Sequence, residues 1–258
     1  MLSSNQNPEE TVTLNETDGK IPGKQQKGKL LHDDLCTLLD KRERESHALS
    51  AGIGFYKLFW FFAVGSVFGT VIEMVWGLLV SGKLDLRVSM VYGPFNLIYG
   101  IGAVALIIAL HPLRHKSFFR LFFFGMLAGS FVEYLFSYLQ EVLFHTRSWD
   151  YSNFFLNIHG RICLFYSVMW GFLGVVFTWW IYPVVSLFLL RIPRKVFRTV
   201  TWALFVFMCF DGVVTVLSLL RYAARAKGIA ATSALAGFLD RHFPDARMEF
   251  LFYNIKVV

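Results

Sequence analysis

The chain has 258 residues, a formal net charge of +7, 55% hydrophobic residues and only 17% charged ones, with a mean hydropathy of +0.51. A soluble domain of this size carries about a quarter charged residues, so a single water-exposed globule is excluded. The basic residues fall in short clusters between apolar runs and form no basic face, which excludes nucleic acid as the expected partner and reads as topological signal beside anionic membrane lipids.

Residues 1–50 form a hydrophilic amino-terminal tail. Its first 27 residues are rich in Asn, Glu, Thr, Gln, Lys and Gly and are expected to be disordered. No apolar h-region follows the start, so no cleavable signal peptide is expected. Asn15-Glu16-Thr17 matches a glycosylation sequon, meaningful only in a eukaryotic secretory context. Between residues 29 and 49 the leucines at 31, 35, 38 and 39 recur at helical spacing among charges of both signs, which predicts an amphipathic helix.

Five apolar stretches follow: about Phe55–Val80, Val91–Leu110, Phe118–Phe144, Ile162–Leu190 and Thr199–Leu220. A span needs about 20 residues to cross the hydrocarbon core. The sequence therefore predicts an all-α polytopic membrane protein with about five transmembrane helices in a domain over residues 55–222. A polar, basic tail follows at 223–258, and its segment Phe238–Asp245 is expected at the membrane surface. Lys and Arg near the spans number eleven on the amino-terminal side, against seven on the other. That bias predicts a cytoplasmic amino terminus. Five spans leave the carboxyl tail on the opposite side; a further re-entrant segment would reverse that. Cys163 and Cys209 lie in apolar stretches and Cys36 in the tail, so packing is their default reading and no metal, disulfide or cofactor is expected.

The chain repeats itself at an offset of 60. Gly65-x-x-x-Gly69-x-x-x-Glu73 reappears as Gly125-x-x-x-Gly129-x-x-x-Glu133, and the same offset links Arg87 to Arg147 and Gly100 to Gly160. This predicts a duplicated two-helix unit, with copies at about 55–110 and 118–190, an extra helix at 199–220, and a parallel relation between the copies. Residues four apart share a helix face. Small residues admit a close neighbour in lipid, and the carboxylate on their stripe faces protein. Two readings stay open. The Glu and Arg residues form buried bridges that fix packing, or they line a polar intramembrane cavity for a substrate or proton.

On the second reading Glu73 and Glu133 line the path, with Arg87, Arg147, Asp150 and Arg161 at its mouth. Asn157 and Glu141 complete the candidate substrate-binding set. The polar stripe of the third span continues through Ser137, Gln140 and Glu141. The loop from His145 to Cys163 concentrates hydrogen-bonding groups, and reads either as an interfacial loop carrying Trp149 and Tyr151 or as a lid over Glu133. Asp211 in the fifth stretch is a further intramembrane acid. No catalytic triad order, H-E-x-x-H, Walker A motif or Cys cluster is present, so the residues lean away from an enzyme without excluding one.

The runs Tyr92-Gly93-Pro94…Ile98-Tyr99-Gly100 and Trp149-Asp150-Tyr151-Ser152…Asn157…Gly160-Arg161-Ile162-Cys163-Leu164…Trp170-Gly171 resemble the bacterial family of type IV ABC-transporter membrane proteins, the CmpB-like group. The resemblance covers about residues 55–190 and departs from the family pattern at Leu97, where proline is expected. It implies a multi-pass protein of the bacterial plasma membrane and a permease or transport component, whose ATPase or other membrane subunit is a separate chain. An intramembrane enzyme acting on lipid through Asp150, His159 and Arg161, and a structural subunit of a membrane complex, are the alternatives.

Overall fold

The structure, a computed structural model, describes residues 24–82, 86, 88–252, 256 and 257. The expected disorder of the amino-terminal tail, its sequon at Asn15, and Arg87 lie outside the described residues, apart from the helical stretch that begins at Lys24. Helix α1 spans Lys24–Glu45, α2 Phe55–Ser81, α3 Leu97–Leu110, α4 Phe118–Phe144, α5 Leu164–Val176, α6 Tyr182–Leu189, α7 Arg194–Ala226, α8 Ala234–His242 and α9 Asp245–Leu251. Two small antiparallel pairs complete it: β1 (Thr146–Arg147) with β4 (Lys256–Val257), and β2 (Asn157–Ile158) with β3 (Ile162–Cys163).

Among the described residues, four helical segments are long and apolar enough to cross a membrane: Phe55–Val80, Phe118–Phe144, Leu164–Leu189 and Arg194–Ala226. The molecule is an all-α membrane protein. The second predicted stretch differs: its helix α3 has only 14 residues, about 21 Å of rise, short of the hydrocarbon core. The reason is local. Gly93 sits at φ +79° and Pro94 carries no amide hydrogen, so the chain stays extended until Asn96 starts the helix. The amides this turn frees are taken up by α7. Asp211 Oδ1 accepts from Tyr92 N at 3.0 Å, and Thr215 Oγ1 accepts from Val91 N at 3.0 Å. Asp211 is fully buried, and its role is to satisfy backbone that no helix satisfies.

The fourth stretch is one long helix with a π turn, Phe177–Ile181, between α5 and α6. Pro183 is the second residue after the turn. A proline removes one helical hydrogen bond and crowds the preceding turn, and a widened turn relieves both.

Helices α2 and α3 pack as one antiparallel pair and α4 and α5 as another, with α3 against α4 and α7 along α2. Trp60 Nε1 donates to Thr201 Oγ1 across α2 and α7 at 2.8 Å. The main core, with Phe61, Leu106, Leu110, Leu121, Tyr182 and Phe197, lies towards the amino-terminal end of α2. There α1 docks: Cys36 and Leu39 are buried while Leu38 is exposed, so the inward stripe is not purely the leucines. Lys57, with no exposed surface, pairs with Glu43 of α1, and Arg114 pairs with Asp40 at 3.1 Å.

A second core forms at the opposite end, where α8 and α9 fold back so that Leu239, Phe243 and Met248 meet Val91 and Leu219. Asp240 clamps Arg221 and Arg225 of α7 at 2.7 and 2.6 Å. The carboxyl tail therefore shares its end of the bundle with the loop that follows α4, where β1 pairs with β4.

Candidate functional site

The glycine stripes set the geometry. On α2, Gly65 faces Ala103 and the backbone of Tyr99 and Gly100, and Gly69 faces the root of the Tyr99 side chain. On α4, Gly125 faces Gly174 and the carbonyls of Trp170 and Gly171, and Gly129 faces the root of Trp170. A Cβ at Gly174 would stand 2.9 Å from the Gly125 Cα, closer than two carbons can pack. Each stripe thus draws an aromatic residue of the partner helix to within reach of the carboxylate one turn further on.

The two carboxylates are held alike. Tyr99 donates its hydroxyl to Glu73 Oε1 at 2.9 Å. Trp170 donates Nε1 to Glu133 Oε2 at 3.0 Å, and Tyr151, from the loop after α4, donates its hydroxyl to Oε1 at 2.9 Å. The Tyr99 and Trp170 rings lie 6.3 Å apart, so the two arrangements meet at the centre of the four helices. Glu133 is 5% exposed, and among the described residues it is engaged by these neutral donors and by no cation.

The contacts also revise one equivalence. Tyr99, Gly100 and Ala103 of α3 stand opposite the first stripe as Trp170, Gly171 and Gly174 of α5 stand opposite the second, an offset of 71. The contacts thus match at an offset of 60 on α2 and α4 and of 71 on α3 and α5, the chain from Glu133 to Trp170 being eleven residues longer than that from Glu73 to Tyr99. Gly171, and not Gly160, meets the second helix pair's contact as Gly100 meets the first. Gly160 lies in a hairpin turn at φ +64°, next to His159 at φ +53°, with Arg161 N donating to Ile158 O at 3.0 Å.

The arginines gather elsewhere. Arg147 and Arg161 both bind Glu141 Oε2, at 2.8 and 3.0 Å. Arg161 also donates to Ser137 Oγ at 3.3 Å and lies over the Tyr138 ring. Asp150 stands 3.6 Å from Arg147 and accepts from Ser152 N at 3.0 Å. Asn157 donates to the carbonyls of Ser152 and Phe154 and accepts from Gly160 N, and so organises its own loop. His159 Nδ1 shares a 2.9 Å hydrogen bond with the Tyr134 hydroxyl. Glu133, Ser137, Gln140 and Glu141 of α4 thus form one polar stripe, with the loop folded along it.

The sequence gives Tyr99 and Trp170 no contact, and Tyr151 only a place in the interfacial loop or lid. The signal for two of them was present: Tyr99-Gly100-x-x-Ala103 and Trp170-Gly171-x-x-Gly174 are matching aromatic-small-x-x-small runs. Two cavities lie away from the glutamates. One of about 10 Å³, room for a single water, is lined by Leu106, His111, Arg114, Phe177 and Tyr182 among others. The other, of about 260 Å³, is an open apolar groove between α2 and α3, lined by Phe55, Phe59, Phe62 and Ile101 among others.

No curated protein and no solved structure matches the chain. A family model matches residues 60–216, from within α2 to within α7. That region holds both glycine stripes, both carboxylates and the loop between them, and on that match the chain belongs to the family described as "Putative ABC-transporter type IV", the CmpB group.

Proposed function

We propose that this chain is the membrane-embedded permease component of a transport system, and that the paired helices carrying Glu73 and Glu133 are its working centre. One observation carries the reading. Glu133 is a buried carboxylate midway along a membrane-spanning helix, met by Tyr151 and Trp170 and by no described cation. A charge in that position is costly, and a residue kept only for packing would be cheaper as an apolar one. The matching contacts of the two helix pairs support a parallel duplication. Residues 55–222 act as the transmembrane domain, flanked by the tails 1–50 and 223–258. Arg147, Asp150 and Arg161, with Glu141 and Asn157, organise the mouth of the path, and Arg87 belongs to the equivalent loop of the first copy. The basic clusters support a cytoplasmic amino terminus in a bacterial plasma membrane. Membrane lipids are its solvent, and a separate ATPase or membrane subunit supplies the energy.

The test separates work from scaffolding. Breaking a buried ion pair costs about 3–5 kcal/mol, because it strands the partner charge. Glu133→Gln strands no described cation and keeps one acceptor for Tyr151 or Trp170. The expected result is a detergent melting temperature equal to or above that of the wild type. A fall of several degrees would return Glu133 to a packing role and favour a structural subunit.

A further inference from the structure

The segment between α4 and α5 does not project beyond the helix ends. Tyr151 reaches Glu133, His159 reaches Tyr134 and Arg161 reaches Ser137. Glu133 lies eleven residues before the end of α4 at Phe144, about 16 Å back along the axis. The outer face of α4 stays apolar and exposed over that whole stretch, through Phe131, Leu135, Leu139 and Leu143. The loop therefore runs back alongside helix that is itself surrounded by lipid.

Its own construction matches that depth. Irregular backbone in the hydrocarbon region must satisfy its hydrogen bonds internally. Here Tyr151 N donates to Gly160 O, Phe154 N to Tyr151 O, and Ser152 N to Asp150 Oδ1. Asn157 takes the Ser152 and Phe154 carbonyls and the Gly160 amide. With these backbone groups satisfied, Phe154, Phe155, Leu156 and Ile158 point outward, Phe155 being 77% exposed, beside Asp150, Ser152, Asn153 and His159, which also keep exposed surface. Leu156 holds the left-handed conformation at φ +49°, strain that a leucine accepts only where its surroundings hold it. Leu164 and Phe165 at the start of α5 are exposed as well, and the Phe154 ring lies 6.0 Å from that of Tyr166 beside them.

We infer that residues 149–163 form a re-entrant hairpin immersed in the leaflet at the carboxyl end of α4, with Phe154, Phe155, Leu156 and Ile158 buried in lipid acyl chains.

The test uses the full chain in vesicles of equal parts phosphatidylethanolamine and phosphatidylglycerol. A nitroxide is attached to Phe155→Cys in a Cys209→Ser background, since Cys36 and Cys163 are buried. Phe154→Cys supplies a second position, and exposed Ala231→Cys, between α7 and α8, an aqueous reference. Immersion predicts that collisions with oxygen exceed those with a water-soluble nickel chelate at 154 and 155, reversing the ratio at 231 several-fold. Nickel access at 155 equal to that at 231 would overturn the inference. Exclusion of both reagents would overturn it too, by showing that protein covers the patch.

Discussion

At the scale of single residues, the glycines divide by what stands opposite them. Gly129 faces the root of Trp170, atoms that cannot swing away without moving the indole from Glu133. Gly129→Ala should therefore lower stability by about 1–3 kcal/mol through overpacking and, by moving Trp170 Nε1, loosen its hold on the carboxylate. Gly212 of α7 meets only the end of Met90, at 3.6 Å. There Gly→Ala should be neutral or stabilising by about 0.5–1 kcal/mol. Detergent melting of the two variants decides: equal shifts would mean that the stripe is not a close contact. Tyr99 and Trp170 are not legible as carboxylate partners in the sequence alone. Their rows of small residues were visible in the chain, but which stripe each row meets depends on how the helices pack.

At the scale of elements, α1 is held by charge as much as by apolar burial. Lys57 is wholly buried and its partner Glu43 nearly so, while the Arg114–Asp40 bridge closes over the α3–α4 turn. Removing one partner of a buried pair costs about 3–5 kcal/mol, enough to undock a single helix whose remaining buried contacts include Cys36 and Leu39. Burial also pushes the Cys36 thiol up to about 11, which suppresses the reactive thiolate near neutral pH. Glu43→Gln should release α1 and turn Cys36 from inert to maleimide-reactive. Persistent protection in that variant would show that the apolar contacts alone suffice. The amphipathic pattern of α1 was legible from its periodicity, but its target was not, because the partners Lys57 and Arg114 lie in other elements.

At the scale of the whole molecule, both ends of the bundle are closed by apolar burial together with ion pairs, and the clamp at the carboxyl end should make its closure depend on pH. Asp240 accepts from both Arg221 and Arg225, and these guanidiniums hold its carboxyl down at about 2, from an ordinary 3.8. A depressed carboxylate contributes stability that is full above its free value and lost as the pH falls through its folded one. Docking of α8 and α9 should accordingly persist above about pH 4 and weaken between about pH 4 and 2. Hydrogen exchange of residues 234–251 reads this directly. Asp240→Asn should flatten the dependence, and an unchanged profile would mean that Leu239, Phe243 and Met248 hold the tail without the clamp.

Taken alone, the sequence determined the membrane class, the positions of four long apolar helices, the glycine-glutamate stripes and the family resemblance. These are local properties: apolar length, helical periodicity and spacing are complete within one segment. Only the tertiary structure decided that α3 is short, that Asp211 serves the broken turn, and that Arg147 and Arg161 meet at Glu141. It also decided which small-residue row, Tyr99–Ala103 or Trp170–Gly174, stands against each glycine stripe. Each of these depends on which backbone groups or charges are left unsatisfied and on which neighbouring helix stands close enough to satisfy them. In lipid no water can substitute for that neighbour.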